Sequence, residues 1–254
     1  DVDESNETII LNITGVSGGE GAVENGTQTV TFTITDDDTA SFTVSESSGT
    51  SVSEAGSTDT FTVVLNSKPT GNVVFNVTSG DTGEATVSPS TLTFTTGNWN
   101  SAQTVTVTGI NDDIDDGTVN STTTIAINTG STADSAYDSV SSQTVTVTTT
   151  DDDTAGFTIA QSGGSTTVAE TGSTDTFTVV LTSEPTGNVV FALTDNDTDN
   201  SEISYSPTAL TFTAGNWNSA QTVTVTGVDD SSVDGSVNST IAVAINTGST
   251  ADST

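Results

Sequence analysis

The sequence predicts an all-β protein: tandem immunoglobulin-like antiparallel β-sandwiches with Greek-key connections, strung along one chain like beads. Three observations predict it. Short runs alternate Val, Phe or Ile with Thr, the period-2 pattern of half-buried antiparallel strands. Seven such runs fall within roughly 115 residues, with polar turns between them, as in an immunoglobulin-like sandwich. The pattern also recurs: STDTFTVVL at 57–65 returns at 173–181, and GNWNSAQTVTVTG at 97–109 returns at 215–227.

The complete repeat is 39–153. Its runs are ASFTV (40–44), TDTFTVVL (58–65), NVVFNVT (72–78), TLTFT (91–95), AQTVTVTG (102–109), STTTIAIN (121–128) and QTVTVTT (143–149), here strands A to G. Branched Val, Ile and Thr suit a pleated surface. Residues 1–38 match the last third of a repeat, strands F and G: QTVTFTITDDD at 28–38 parallels QTVTVTTTDDD at 143–153. Residues 154–254 form a repeat without its last strand. With both ends inside a repeat, and neither an initiator Met nor a signal peptide, the chain reads as a piece of a longer array.

Composition narrows the chemistry. Against 34 acidic residues stands one basic residue, Lys68, for a formal charge of −33. Such a surface repels nucleic-acid phosphates and anionic membranes and attracts cations. No segment approaches the length of a spanning helix, so no membrane insertion is expected here. Without cysteine there is no disulfide, and without His or Cys zinc, copper and iron–sulfur sites are excluded. The same absences remove most general bases and nucleophiles, so no enzyme is expected. A glycosidase-like carboxylate pair is the one remaining route, but acids repeated in tandem suit a spacer better than an active site.

The acids are not scattered. In a sandwich whose strands reverse one after another, the A–B, C–D and E–F turns and the end of strand G share one pole. Of fourteen carboxylates in the complete repeat, eleven fall there: Glu54, Asp59, Asp81, Glu84, Asp112, Asp113, Asp115, Asp116, Asp151, Asp152 and Asp153. The other pole receives Asp134, Asp138 and Lys68. Like charges at close range cost roughly 1 kcal/mol per pair in water, so the cluster needs a counter-charge. Ca2+ fits best, taking six to eight hard oxygen ligands in flexible geometry; Mg2+ prefers a strict octahedron with retained waters.

Four stretches together resemble the Calx-beta repeat, a calcium-binding sandwich of sodium–calcium exchangers and large microbial surface proteins. They are VSEAG (52–56), SPSTLTF (88–94), TVTVTGINDDIDD (104–116) and the closing DDD (151–153). The likeness spans the whole chain. It implies calcium ligands at Glu54, Asp81, Asp112, Asp116 and Asp151 to Asp153, with Asp113 and Asp115 as further candidates. In the second repeat it implies Glu170, Asp229, Asp230 and Asp234, and in the leading fragment Glu4, Asp36, Asp37 and Asp38, with Asp1, Asp3 and Glu7 nearby. The chain departs from the family at Asn111, where the first acid of a pair is expected, and near Val119 and Val237, where a second glutamate is expected.

Other signals are weaker. DNDTDNSE (195–202) begins like a helix–loop–helix calcium loop, but Asn200 stands where Gly is required and Ser206 where Glu is required. It is an acidic C–D loop that can lend one ligand, Asp195. Trp99 and Trp217, one per repeat, read as turn-fixing core residues rather than a sugar platform. Seven Asn-x-Ser/Thr sequons occur, at Asn6, Asn12, Asn25, Asn76, Asn120, Asn196 and Asn238.

The expected function is that of an extracellular or cell-surface structural module, with Ca2+ at each acidic pole and at the junctions stiffening a stalk or filament, as in an adhesin, a fibre or a surface layer. The expected partners are neighbouring repeats and like chains. The alternatives are a calcium-sensing regulatory module of a membrane protein and a glycan-binding adhesion module.

Overall fold

The computed structural model describes residues 2–13, 20, 28–196, 202–231, 233 and 235–252. The chain divides into two compact units: Asp1–Ile110 with Asn120–Thr149, and Asn111–Val119 with Thr150–Thr254.

In the first unit, β1 (Glu7–Ile13) and β2 (Gln28–Ile34) form a two-stranded antiparallel sheet. The strands β3 (Phe42–Glu46), β4 (Thr50–Ser53), β5 (Thr58–Leu65), β6 (Val73–Ser79), β7 (Ala85–Ser88), β8 (Thr91–Phe94), β9 (Gln103–Gly109), β10 (Val119–Ile127) and β11 (Gln143–Thr150) build a sandwich. One sheet runs β3-β5-β9-β7 and the other β4-β11-β10-β6-β8. All seven expected runs are strands. Two four-residue strands, β4 and β7, add to them, and the chain changes sheets at the Pro89 turn between β7 and β8.

Alternation fills the space between the sheets. Along β5 the residues Phe61, Val63 and Leu65 are buried; along β9 Val105 and Val107; along β11 Val145, Val147 and Thr149. Burying each such apolar side chain contributes about 1.5–3 kcal/mol. Phe75 sits between Phe42 and Phe94, edge-on to both, with ring centres at 4.8 and 5.8 Å. At one end a 3-10 helix (Ser135–Ser139) is capped by buried Asp134, which accepts the N–H groups of Ala136 and Thr70. From it the fully buried Tyr137 hydroxyl donates to the Ser67 carbonyl at 2.6 Å.

The second unit repeats the plan with β12 (Phe157–Gln161), β13 (Thr174–Leu181), β14 (Val189–Asp195), β15 (Ile203–Ser206), β16 (Ala209–Phe212), β17 (Gln221–Gly227) and β18 (Ile241–Ile245). The order β12-β13-β17-β15 matches the first sheet of the other repeat; the facing sheet is β16-β14-β18. Among the described residues it has no counterpart of β11. Phe177, Val179, Phe191, Phe212, Val223 and Val225 form the core. No helix among the described residues is long and apolar enough to cross a membrane.

Candidate cation-binding site

In the first sandwich the β4–β5 turn, the β6–β7 turn and the C-terminus of β9 meet at one end. Glycine makes this possible. A Cβ on Gly109 would lie 2.0 Å from the Ser53 carbonyl oxygen, so only glycine lets β9 end against the β4–β5 turn. Its N–H donates to the Ser57 carbonyl at 3.0 Å, and the next N–H, of Ile110, donates to the Glu84 carbonyl at 2.9 Å. Gly227 repeats the close approach against Ala169.

Two carboxylates turn inward at this end. Glu54 is 1 % exposed and Glu84 7 %, and oxygens of the two lie within 4.8 Å of each other. Burial of charge at that spacing requires protons or a cation. Glu84, absent from the ligand set that the resemblance implies, is a finding of the structure. Its repeat mate is Glu202, 118 residues on, in SEISYSP against GEATVSP. That recurrence was the available signal. Asp81 is exposed and serves its own turn, accepting the Gly83 N–H at 3.0 Å. Asp59 fastens β4 to β5 by accepting the N–H groups of Ser51 at 2.9 Å and Thr60 at 2.7 Å, which hold it below the usual carboxylate range. Asp175 does the same with Thr167 and Thr176.

The leading segment gathers a second group in the first unit. Oxygens of Asp36, Asp37 and Asp38 lie within 4.8 Å of one another. Asp36 accepts the N–H of Glu4 at 2.7 Å and that of Asp38 at 3.2 Å, while Asp3 accepts the Ala40 N–H at 2.7 Å. Glu4 and the aspartate triplet line a groove of about 270 Å3.

The second unit carries the largest set: Asp112, Asp113, Asp115 and Asp116, with Asp151, Asp152 and Asp153. Asp112 accepts the Ile114 N–H at 2.8 Å and Asp115 the Ala155 N–H at 2.7 Å. Asp151 accepts two, from Gly117 and from Asp153, both at 2.7 Å. Burial works against the Asp151 charge, but the N–H groups of Asp153, Gly117 and Asp116 outweigh it and hold its carboxyl below the ordinary range. Asp116 is pushed the other way, by burial and then by the charges of Asp112, Asp151 and Asp115. Asp153 is likewise raised, by burial and the charges of Asp152, Asp113, Asp151 and Asp112. The backbone thus fixes some carboxylates as anions and leaves others strained by their neighbours.

In the second repeat Glu170 is half-buried at the turn before β13, Asp230 is half-buried and Asp229 exposed after β17, and Asp195 is half-buried at the end of β14. Asp234 lies outside the described residues, as do Asp1, Asp197, Asp199 and the Asn25 sequon. The other six sequon asparagines are exposed. Trp99 and Trp217 are half-buried against their cores, and their carbonyls accept the N–H groups of Leu65 and Leu181, both at 3.2 Å.

Every ligand atom in these groups is a carboxylate oxygen. That set is compatible with Ca2+ and offers nothing to a soft metal.

No protein-family model and no curated protein matches the chain. Solved structures do. Domains 4 and 5 of the S-layer protein SbsC align at 27% identity over 48% of this chain and 59% of that one, with a TM-score of 0.29. CBD12 from CALX1.2 aligns at 17% identity over 77% of each chain, with a TM-score of 0.31. The Caenorhabditis elegans MSP-domain protein SSP-19 aligns at 16% identity over 41% of this chain and 92% of that one, with a TM-score of 0.28.

Proposed function

We propose that this chain is a non-enzymatic, extracellular structural module whose repeats bind Ca2+ at their acid-rich ends, and that the bound ions stiffen a stalk, fibre or surface layer. The observation that carries the reading is the pair Glu54 and Glu84: two buried carboxylates with oxygens within 4.8 Å, in a chain with one basic side chain. Glu54, Glu84, Asp36 to Asp38, and the set Asp112 to Asp116 with Asp151 to Asp153 would hold the ions. Their chemistry is charge neutralisation by hard oxygen ligands, with no reaction. The triplet Asp151 to Asp153 follows β11 directly and leads into the next repeat, so ions held there would limit bending between repeats.

The test is thermal melting of the chain at low ionic strength with Ca2+ and with chelator. At Ca2+ 100 times the dissociation constant each site adds about 2.7 kcal/mol of stability. For a chain of this size that is a rise of roughly 5–10 °C. A melting curve indifferent to chelation overturns the reading. Mg2+ at equal concentration should give a smaller shift.

A further inference from the structure

The acid-rich loop that follows β9 is held by the second repeat through main chain. Residues 111–119 belong by their contacts to the second unit. There the Glu184 N–H donates to the Asp113 carbonyl at 2.6 Å, and the Ala155 N–H donates to the Asp115 carboxylate at 2.7 Å. The first unit makes the corresponding contacts, since DVDE (1–4) parallels DIDD (113–116). Lys68 forms a parallel bridge with Val2, and the Ala40 N–H donates to the Asp3 carboxylate at 2.7 Å. In each unit the loop thus has two anchors. One is the segment leading into β3 or β12; the other is the turn between β5 and β6 or between β13 and β14.

The turn is built for this contact. NSKPTGNVVF (66–75) returns as TSEPTGNVVF (182–191). Ser67, Pro69, Ser183 and Pro185 are buried, while Lys68 and Glu184 are half-buried at the edge. A following proline biases residue 68 or 184 toward extended backbone, the form that accepts a main-chain partner alongside. The two turns differ in charge at that one position, and Lys68 is the single basic residue of the chain. The loop that each turn meets is anionic. In the first unit it brings Asp3 and Glu4 beside Asp36 to Asp38; in the second it brings Asp112, Asp113, Asp115 and Asp116 beside Asp151 to Asp153. Its charge reaches the turn. The Tyr137 phenol, which donates to the Ser67 carbonyl, is pushed up by burial first and then by the charges of Asp134 and Asp3.

We propose that the β5–β6 and β13–β14 turns are docking ledges for the acid-rich loop of the preceding repeat, and that residue 68 or 184 sets the sign of the charge each ledge presents to it. Lys68 attracts its loop and Glu184 repels its own. The main-chain contacts are of one kind in both units, so the electrostatic part alone differs in sign. Added salt screens that part. It therefore weakens docking at Lys68 and strengthens docking at Glu184. One residue per repeat then writes, along an array of otherwise matching units, which junctions close unaided and which wait for a counter-cation. That last consequence rests on the calcium reading above; the charge rule itself does not.

The test is amide hydrogen exchange of the whole chain by NMR, in chelator, at about 0.01 M and about 0.1 M NaCl. The Ala40 N–H, held by Asp3, reports the first loop, and the Ala155 N–H, held by Asp115, reports the second. With added salt, protection should fall at Ala40 and rise at Ala155. Glu184→Lys should slow exchange at Ala155 by about three- to tenfold at low salt and reverse its salt response, the size expected when one exposed charge changes sign. Lys68→Glu should speed exchange at Ala40 by a similar factor. A new charge also draws in or repels the hydroxide that catalyses exchange, but that effect has the opposite sign in both variants, so the expected changes report docking. Glu184→Gln keeps the shape of the side chain and should flatten the salt response of Ala155. The amides of Val63 and Val179, fully buried in the two cores, should exchange as before, which separates docking from folding. Salt responses of the same sign at Ala40 and Ala155, or responses unchanged by the substitutions, would overturn the proposal. Because every arm is run in chelator, failure here is distinct from failure of the calcium reading, which melting with Ca2+ tests.

Discussion

The Asp151 carboxylate accepts the N–H of Gly117 at 2.7 Å with one oxygen and that of Asp153 at 2.7 Å with the other. Asp36 makes the same two kinds of bond, to Glu4 and to Asp38, at 2.7 and 3.2 Å. The first aspartate of each triplet thus also acts as a backbone staple. Replacing Asp151 by Ala should cost about 1–3 kcal/mol even without calcium, because two donors lose their acceptor. Asp152→Ala should cost little without calcium and reduce the calcium-induced shift. Chemical denaturation of both variants with and without chelator checks the division of labour.

Glu84→Gln tests the buried pair from the opposite direction. Removing one of two adjacent buried negative charges should raise the melting temperature in chelator and shrink the gain from Ca2+. If Glu84→Gln lowers stability in chelator and leaves the calcium shift intact, the pair is not a cation site. Glu202→Gln should act in the same sense in the second repeat.

Acid should first stabilise and then destabilise the calcium-free chain. Asp116 and Asp153 have carboxyls raised in the folded state, so they oppose folding when ionised and that cost disappears as pH falls toward about 4. Asp59, Asp151 and Asp175 are lowered, so their contribution is present above about 4 and is lost as pH falls further, through their folded values. Melting temperatures from pH 7 to 2 in chelator should therefore pass through a maximum. With Ca2+ present the rise on mild acidification should vanish, because protons then compete with the ion.

Gly109→Ala should be among the most damaging single-methyl additions in the chain. The new Cβ meets the Ser53 carbonyl oxygen at 2.0 Å and the Ser53 carbonyl carbon at 2.8 Å, backbone atoms rather than the end of a flexible side chain. A loss of about 3 kcal/mol or more in denaturant unfolding is expected, at the upper end of overpacking costs. Gly227→Ala, at 2.2 Å from the Ala169 carbonyl oxygen, should do the same to the second repeat.

Much of this was legible in the residues. Thr alternating with Val or Phe marks one face for the core, and a strand needs no further instruction where both neighbours do likewise. β4 and β7 were not legible, because TSVS and ATVS are too short for a period to show against a Ser- and Thr-rich background. What makes them strands is tertiary: β4 flanks β11, and β7 pairs with β9 from Ala85 opposite Gly109. The acid-rich turns could be placed by counting reversals, but the inward turn of Glu84 could not. A lone glutamate before a strand reads as solvated, and only the packing of Ala85 and the close approach at Gly109 carry it inside. Asp81, by contrast, fits the resemblance in position yet stays outside, occupied with its own turn.

Lys68 forms a short parallel bridge with Val2, and it is followed directly by Pro69. Trypsin-like proteases need a cationic side chain in their specificity pocket, and they cleave poorly before proline. A chain of 254 residues therefore offers such enzymes essentially no bond to cut, folded or unfolded. Digestion with trypsin should leave it whole where an acid-directed endoprotease would fragment it, a durability written into composition and independent of how firmly the sandwiches hold.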